Sequence, residues 1–331
     1  QAMMANGNGG SIIAADPVIT TIDPVIEMDP FEVTIEQKVD NLKEYIEALW
    51  TVETLQSTSI NYGDRKRTTH FANSEGSYIA QERIDVTLGA RAVAKKENDV
   101  QQYGISIGSL GDYGIVLNLE KQMKEISEKA NDLLLAPQLD GGEYTVICDP
   151  ILGGVFAHEA FGHLSESDFI YENQQMKEIM VLGRKFGGNH LNIVDGASIP
   201  GLRGSYDYDD EGVPSQKSQL IHEGKLVGRL HSRETASKMG ESTTGNARAI
   251  DYRHPPIVRM TNTYIEPGEA TVEELISEVK DGVYAKNWYG GMTSMEMFTF
   301  SAGEANVIRK GKIEEAIRPV MLSGNVFKTL E

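Results

Sequence analysis

The sequence contains a single cysteine, Cys148, among 331 residues. One thiol cannot form an internal disulfide, and so few cysteines are typical of proteins from a reducing cytoplasm. The sequence also lacks an uninterrupted apolar run of about 20 residues, the length that a membrane-spanning helix needs. Its first residues lack the basic-then-apolar order of a signal peptide. We therefore expect a soluble, cytoplasmic protein that does not bind membranes.

Basic residues are also scarce, because 31 lysines and arginines stand against 49 acidic residues and give a formal net charge of −18. A surface of this sign repels phosphate backbones, so direct nucleic-acid binding is not expected. Hydrophobic residues make up 40% of the chain and charged residues 24%, which is typical of a globular protein. The length favours two domains over one.

The first half of the chain predicts helices around a sheet. Apolar residues at helical spacing predict helices over residues 34–50 and 118–135, and β-rich segments with polar turns predict strands over residues 55–111. The opening residues, rich in Gly, Asn and Ala, predict a loose lead-in. "APQLDGGE", residues 136–143, carries one proline and two glycines and predicts a domain boundary. We therefore expect an N-terminal helix and antiparallel-sheet domain at residues 1–137.

The second half predicts a mainly antiparallel β domain at residues 138–331. A strand at "YTVICDP" runs into an apolar segment of helical length, "ILGGVFAHEAFGHL". Strand pairs are predicted in residues 217–231 and 304–320, and a helix at "TVEELISEVKDG" is expected to stop at Gly282. Strands mixed with helices, without regular βαβ alternation, favour an α+β fold.

"HEAFGH", residues 158–163, places a glutamate beside the first of two histidines. Zinc hydrolases need imidazole or carboxylate ligands and a nearby base, usually a glutamate. On an ideal helix, residues five apart lie about 140° apart around the axis, so His158 and His163 could not reach one metal. A local widening with i→i+5 hydrogen bonds near Gly162 would bring them together. Glu159 would then point at the metal-bound water.

Other interpretations stay open. Two histidines in one helix are more often structural than metal ligands, and short motifs are weak predictors. Among the remaining histidines, His231 and His254 are the ones to test for proximity to a metal. We expect Cys148 to be a small buried residue of an apolar strand. "DYDDEG", residues 207–212, starts like a calcium loop but has Ser218 at the twelfth position, so we interpret it as a polar turn.

Several segments together resemble the TldD/PmbA family of zinc metallopeptidases, from about residue 35 onward. "HEAFGHLSESD" is similar to the HExxxH signature of the TldD-like subunit. The other similar segments are "RTTHFANSEGSYIAQER", "YDYDDEGVPSQKSQLIHEGKLVGRL", "TGNARAIDYRHPPIVRMTNTYIEPGEAT" and "DGVYAKNWYGGMTSMEMFTFSAGEANVIRKGKI".

The resemblance implies roles for individual residues. His158 and His163 match the zinc ligands, Glu159 matches the catalytic base, and Glu166 matches an acidic position that could orient His163 or simply end a helix. The family's third ligand is a cysteine in a later turn, which this sequence lacks. The resemblance therefore implies that this chain is truncated at both ends. Such a chain is expected to bind zinc weakly or not at all and could be inactive.

Two functions follow from the resemblance. The first is a zinc-dependent peptidase for unfolded or extended peptides, with Glu159 activating the water. The second is a non-catalytic binding or assembly subunit with an incomplete metal site. In either case the family resemblance implies a homodimer, or a heterodimer with a second family member.

Overall fold

The structure is a computed structural model that describes residues 12–294 and 296–330. The lead-in predicted for the first residues lies outside this range up to residue 11. Within the first half, the strands are β1 to β4, at Ile19–Ile22, Leu55–Ala72, Tyr78–Lys96 and Asp99–Leu110. The helices are α1 and α2, at Ile35–Leu49 and Glu120–Leu135, and a short 3-10 helix spans Tyr113–Val116.

Strand β3 organises the first sheet. It pairs antiparallel with β2 and β4 and parallel with the short β1, so the predicted antiparallel sheet has one parallel edge. Alternate residues of β3 face the two helices and are fully or nearly fully buried. These residues are Val86, Leu88, Ala90, Ala92 and Ala94. The period of two therefore places one apolar face of the sheet under α1 and α2.

Both predicted helices are present in the first half. Thr34 caps α1 and forms a reciprocal capping box with Gln37, which fixes where the helix begins. Helix α2 begins at Glu120 rather than at Asn118, because Asn118 has a φ of 58° and cannot join a right-handed helix. The predicted boundary between residues 137 and 138 falls between α2 and the next strand, and it stays a prediction.

The second half contains thirteen short strands within the described residues. They are β5 to β17, at Thr145–Cys148, Ile193–Gly196, Lys217–His222, Lys225–Leu226, Ala247–Arg248, Ile257–Val258, Thr263–Ile265, Asp281–Lys286, Gly290–Ser294, Met297–Ser301, Glu304–Arg309, Lys312–Ile317 and Met321–Asn325. The α-helices are α3 to α8, at Pro150–Ala157, Ser167–Glu172, Gln174–Ile179, Arg233–Met239, Val272–Glu278 and Val326–Leu330.

Within the described residues, the second half contains four sheets, in the strand orders β11-β6-β7-β8, β16-β15-β12-β5, β13-β14-β17 and β10-β9. All their pairs are antiparallel except β5 with β12, so the predicted α+β fold with a mainly antiparallel second half is confirmed. The core cluster contains Leu152, Phe161 and Leu164, which lie on and just after α3.

Helix α7 ends earlier than predicted. Its cap, Thr271 with Glu274, is the expected capping box, but the helix stops at Glu278. Gly282 lies in β12 instead, where a Cβ would overlap the carbonyl oxygen of Thr145. The glycine is needed for close strand packing and does not end the helix.

Candidate metal centre

Helix α3 begins directly after β5. Asp149 caps it by accepting a hydrogen bond from the main-chain N–H of Leu152 at 2.8 Å, and Pro150 occupies the first turn, where its missing N–H is not needed. Asp149 also binds the N–H of Asn287 at 3.0 Å, after β12. The cap thus ties the start of the helix to the neighbouring sheet.

The helix widens over residues His158–Gly162, which we call the wide turn. The N–H of His163 binds the carbonyl of His158, five residues earlier, rather than that of Glu159. This is the i→i+5 pattern of a π-helix, and the predicted widening is confirmed. The two imidazole rings lie 4.8 Å apart between centroids, on the same side of the helix.

Gly162 has a packing role in the wide turn. Its φ of −57° is ordinary for a helix, so it is not required for backbone freedom. A Cβ at this position would instead overlap the sulfur of Met260, which packs directly against the glycine. Met260 is buried and belongs to the core cluster. The absence of a side chain at 162 therefore lets the wide turn sit close to the segment after β10.

Three potential metal ligands meet at the wide turn. His158, Glu159 and His163 each offer one ligand atom, and these atoms all lie within 4.8 Å of one another. Two imidazoles and a carboxylate match the donor types that zinc prefers. The residues present therefore fit a zinc ion. We call these three residues the candidate metal centre.

Burial favours the neutral form of His158. It holds the pKa of His158 below its usual value of 6.5, and the neighbouring His163 lowers it further. Only the neutral imidazole has a free lone pair for a metal ion. The setting of His158 thus favours the state that binds a metal.

Glu166 lies beneath the candidate metal centre and is completely buried. Its Oε2 lies 3.2 Å from Nδ1 of His163 and 3.4 Å from the guanidinium of Arg259, while its Oε1 accepts the N–H of Met260 at 3.3 Å. Of the two interpretations left open for Glu166, the buried contact with His163 is the one present, because the carboxylate does not end a helix in solvent.

A groove of about 690 Å³ opens beside the candidate metal centre. His158 and Glu159 line it together with Thr263 and Tyr264 of β11. Three exposed apolar side chains also line the groove. They are Ile151, Leu202 and Trp288, which are 59%, 46% and 43% exposed.

Strand β11 offers one free edge beside this groove. The carbonyl of Asn262 accepts from Gly196, and the N–H of Glu266 donates to Asn192, both on the β6 side. Hydrogen bonds of an antiparallel strand alternate between its two edges, so the main-chain groups of Thr263 and Ile265 point away from β6. Among the described strands none pairs with that edge.

Sequence matches place this protein among known metallopeptidases. Residues 29–136 match the family model described as the PmbA/TldA metallopeptidase central domain, and residues 141–331 match the PmbA/TldA metallopeptidase C-terminal domain. The chain belongs to the PmbA/TldD metallopeptidase family. The resemblance found in the sequence is thereby confirmed, and the enzyme class is that of a metalloprotease.

Curated relatives of the PmbA/TldD family carry matching names. A metalloprotease of Synechocystis is 49% identical over 317 residues, which cover 95% of this chain and 68% of the relative. A metalloprotease of Methanocaldococcus jannaschii is 36% identical, with 95% and 69% covered. A zinc metalloprotease TldD homologue of Saccharolobus solfataricus is 30% identical, with 89% and 67% covered. The chain thus spans about two thirds of these relatives' length.

Solved structures of related proteins share the fold. A Thermotoga maritima protein described as a proposed modulator of a DNA gyrase has a TM-score of 0.82 at 22% identity, over 99% of this chain and 75% of that one. TldE from Thermococcus kodakarensis has a TM-score of 0.73 at 18% identity, over 100% and 75%. These likenesses support the fold of the PmbA/TldD family.

The other candidate ligands lie outside the candidate metal centre. His231 is 1% exposed and binds Thr235 and Glu241, each at 3.1 Å. His254 is exposed and binds Asp251 at 2.9 Å. Burial raises the pKa of the Cys148 thiol to about 11, which disfavours the thiolate that a metal needs. Within the residues described, only His158, Glu159 and His163 form a group with metal-binding geometry.

Three neighbours of the centre could not be predicted from the sequence. Met260 and Arg259 come from the segment after β10, and Thr293 of β13 donates to the carbonyl of Glu159 at 2.7 Å. They lie 93 to 134 residues from their partners along the chain. No local spacing signals such contacts, although the segments that contain them resemble the family.

Proposed function

We propose that the protein is a zinc-dependent peptidase that hydrolyses unfolded or extended peptides. The observation that carries this proposal is the wide turn, because it brings two imidazoles and a carboxylate within 4.8 Å of one another. A regular helix of the same sequence would point the two histidines apart. The name of the Saccharolobus solfataricus relative, a zinc metalloprotease, supports zinc as the metal.

Each residue has a separate role in the proposed reaction. His158 and His163 would hold the zinc ion, and Glu166 fixes the ring of His163 through Nδ1. A zinc ion held there would supply Lewis acidity to the scissile carbonyl and to a nearby water. Glu159 takes the proton from the attacking water and passes it to the leaving amine. The carboxylate lies beside both imidazoles, which favours this role over the non-catalytic alternative.

The groove beside the centre accounts for the proposed substrate class. An extended peptide can pair with the free edge of β11 through main-chain hydrogen bonds, which do not depend on its sequence. The exposed side chains of Ile151, Leu202 and Trp288 offer apolar contacts to substrate residues near the scissile bond. A folded protein has few unpaired strands to offer to β11, so this mode of binding favours unfolded chains.

We propose the cytoplasm as the location and a dimer as the assembly, either of identical chains or with a second family member. The likeness to TldE of Thermococcus kodakarensis supports a family partner of the same fold. In the part of the chain that the structure describes, no helix combines the length and the apolar character needed to cross a bilayer.

The experiment compares Glu159→Gln with the parent protein. Hydrolysis of an unfolded peptide is measured by mass spectrometry after loading with zinc, after chelation, and after zinc is added back. We expect the substitution to lower activity by about 10²- to 10⁴-fold, because an amide cannot accept the proton from water. Zinc content, measured by atomic emission, is expected to stay unchanged.

Glu172→Gln is the matched control, since Glu172 is exposed on the neighbouring helix α4. It should retain full activity. Loss of zinc together with activity in Glu159→Gln would assign Glu159 to metal binding and not to proton transfer. A zinc-loaded parent protein without hydrolysis of any extended peptide would contradict the proposed function itself.

A further inference from the structure

The wide turn removes from one main-chain acceptor the donor that a regular helix would give it. In a regular α-helix, the N–H of His163 would bind the carbonyl of Glu159, four residues earlier. Here that N–H binds the carbonyl of His158, so the carbonyl of Glu159 has lost its usual donor. A carbonyl that is shielded from water and loses a hydrogen bond costs free energy, so a replacement donor stabilises the wide turn.

Thr293 supplies that donor. Its hydroxyl donates to the carbonyl of Glu159 at 2.7 Å, and the same oxygen lies 3.3 Å from Oε2 of the Glu159 side chain. The single hydroxyl hydrogen therefore faces both the main chain and the carboxylate of one residue, as in a three-centre hydrogen bond. Thr293 lies in β13, which is 134 residues away along the chain.

The strand that carries Thr293 is itself fixed against the metal-binding helix. Strand β13 pairs antiparallel with β14, and Thr293 lies opposite Phe298. Phe298 is buried and meets the ring of Phe156 in α3 edge to face, with 5.3 Å between centroids. This packing fixes the position of β13 relative to α3, and with it the position of the Thr293 hydroxyl.

We infer that Thr293 is a positioning residue of the metal centre, an inference that rests on the proposed zinc site. By replacing the donor that the wide turn removes, it keeps that turn open and holds His158 and His163 on one side. Through its second contact it also orients the carboxylate of Glu159 toward the two imidazoles. In this role Thr293 acts through Glu159 and not directly on the substrate.

The test uses two substitutions at this position and one matched control. Thr293→Val keeps the shape of the side chain and removes the hydroxyl, whereas Thr293→Ser keeps the hydroxyl. Thr299→Val makes the same change in the adjacent strand β14, where the side chain has no hydrogen bond within the described part of the chain. Zinc affinity is measured by competition with a chromophoric chelator, and the metal-free proteins are crystallised.

We expect Thr293→Val to weaken zinc binding by about 10-fold, since residues that orient metal ligands typically contribute 10- to 100-fold to affinity. Its metal-free structure should show the two imidazole rings further apart than 4.8 Å. Thr293→Ser and Thr299→Val should bind zinc as the parent protein does. Rescue by serine separates the role of the hydroxyl from a general loss of packing.

An unchanged wide turn and unchanged zinc affinity in Thr293→Val would overturn this inference, as would failure of Thr293→Ser to restore them. If the parent protein binds no zinc, the proposed function fails instead. In that case the separation of the rings in metal-free Thr293→Val still decides the role of Thr293.

Discussion

Glu166 connects three groups around the candidate metal centre through one buried carboxylate. It contacts the ring of His163, the guanidinium of Arg259 and the N–H of Met260. A buried carboxylate is stable only when such partners compensate for its lost hydration. The partners also hold His163 with Nδ1 occupied, which leaves its other ring nitrogen for a metal.

Replacing Glu166 with alanine should therefore weaken zinc binding by about 10- to 100-fold. His163 would lose its orientation, and Arg259 would be left beside the centre without its carboxylate. The measurement is a zinc titration by calorimetry, with Glu172→Ala on the exposed face of α4 as the control. Equal affinities of the two variants would contradict a role for Glu166 in positioning His163.

The wide turn depends on close contact between two elements. Gly162 of the turn and Met260 after β10 meet where any side chain at 162 would overlap the Met260 sulfur. Gly153 lies in α3, and a Cβ there would meet no atom within 4 Å. The two glycines are thus a matched pair in one continuous helical segment.

We expect Gly162→Ala to lower the free energy of unfolding by about 1–3 kcal/mol, the usual cost of overpacking a core. Zinc affinity should fall with it, because relief of the overlap moves the turn. Gly153→Ala should instead raise stability by about 0.5–1 kcal/mol, since alanine restricts the unfolded chain more than glycine does. Chemical denaturation of the metal-free proteins measures both changes. An unchanged free energy of unfolding in Gly162→Ala would show that Met260 can move aside.

Strand β11 is expected to bind the peptide substrate through its free edge. Ile265→Pro removes one main-chain N–H that points away from β6, and edge strands tolerate proline where no ladder bond is lost. We expect KM for an extended peptide to rise by about 10-fold with little change in kcat, as for the loss of one hydrogen bond. Ile265→Ala controls for the side chain. If steady-state kinetics gave equal KM values for the two variants, main-chain pairing at residue 265 would be ruled out.

At the scale of the whole molecule, the net charge of −18 governs which macromolecules can approach. A structural neighbour is described as a proposed modulator of a DNA gyrase, but a shared fold alone does not imply DNA binding. At about 0.1 M salt we expect the Kd for duplex DNA to be above the range of about 10⁻⁴ to 10⁻⁶ M that is typical of non-specific binders. Fluorescence anisotropy with a labelled duplex, and a basic DNA-binding protein as positive control, tests this. Salt-sensitive binding with a Kd within or below that range would contradict the expectation.

The sequence by itself determined the local elements of this protein. Thr34 with Gln37 and Thr271 with Glu274 act over three residues, so the starts of α1 and α7 could be predicted from neighbours alone. The end of α7 could not, because the strand pairing of Gly282 against Thr145 joins segments more than 130 residues apart. Hydrophobic periodicity likewise indicated an α+β fold but not the parallel pairing of β1 with β3.

The same division applies to the candidate metal centre. The five-residue spacing of His158 and His163 predicted the widened turn, because helical geometry offers no other way for both to reach one side. What stabilises that turn was decided only by tertiary structure. Met260 packs where Gly162 has no side chain, Glu166 is buried against Arg259, and Thr293 replaces a lost helical donor. These contacts depend on how distant strands pack around α3, and packing of distant segments leaves no periodic pattern in a sequence.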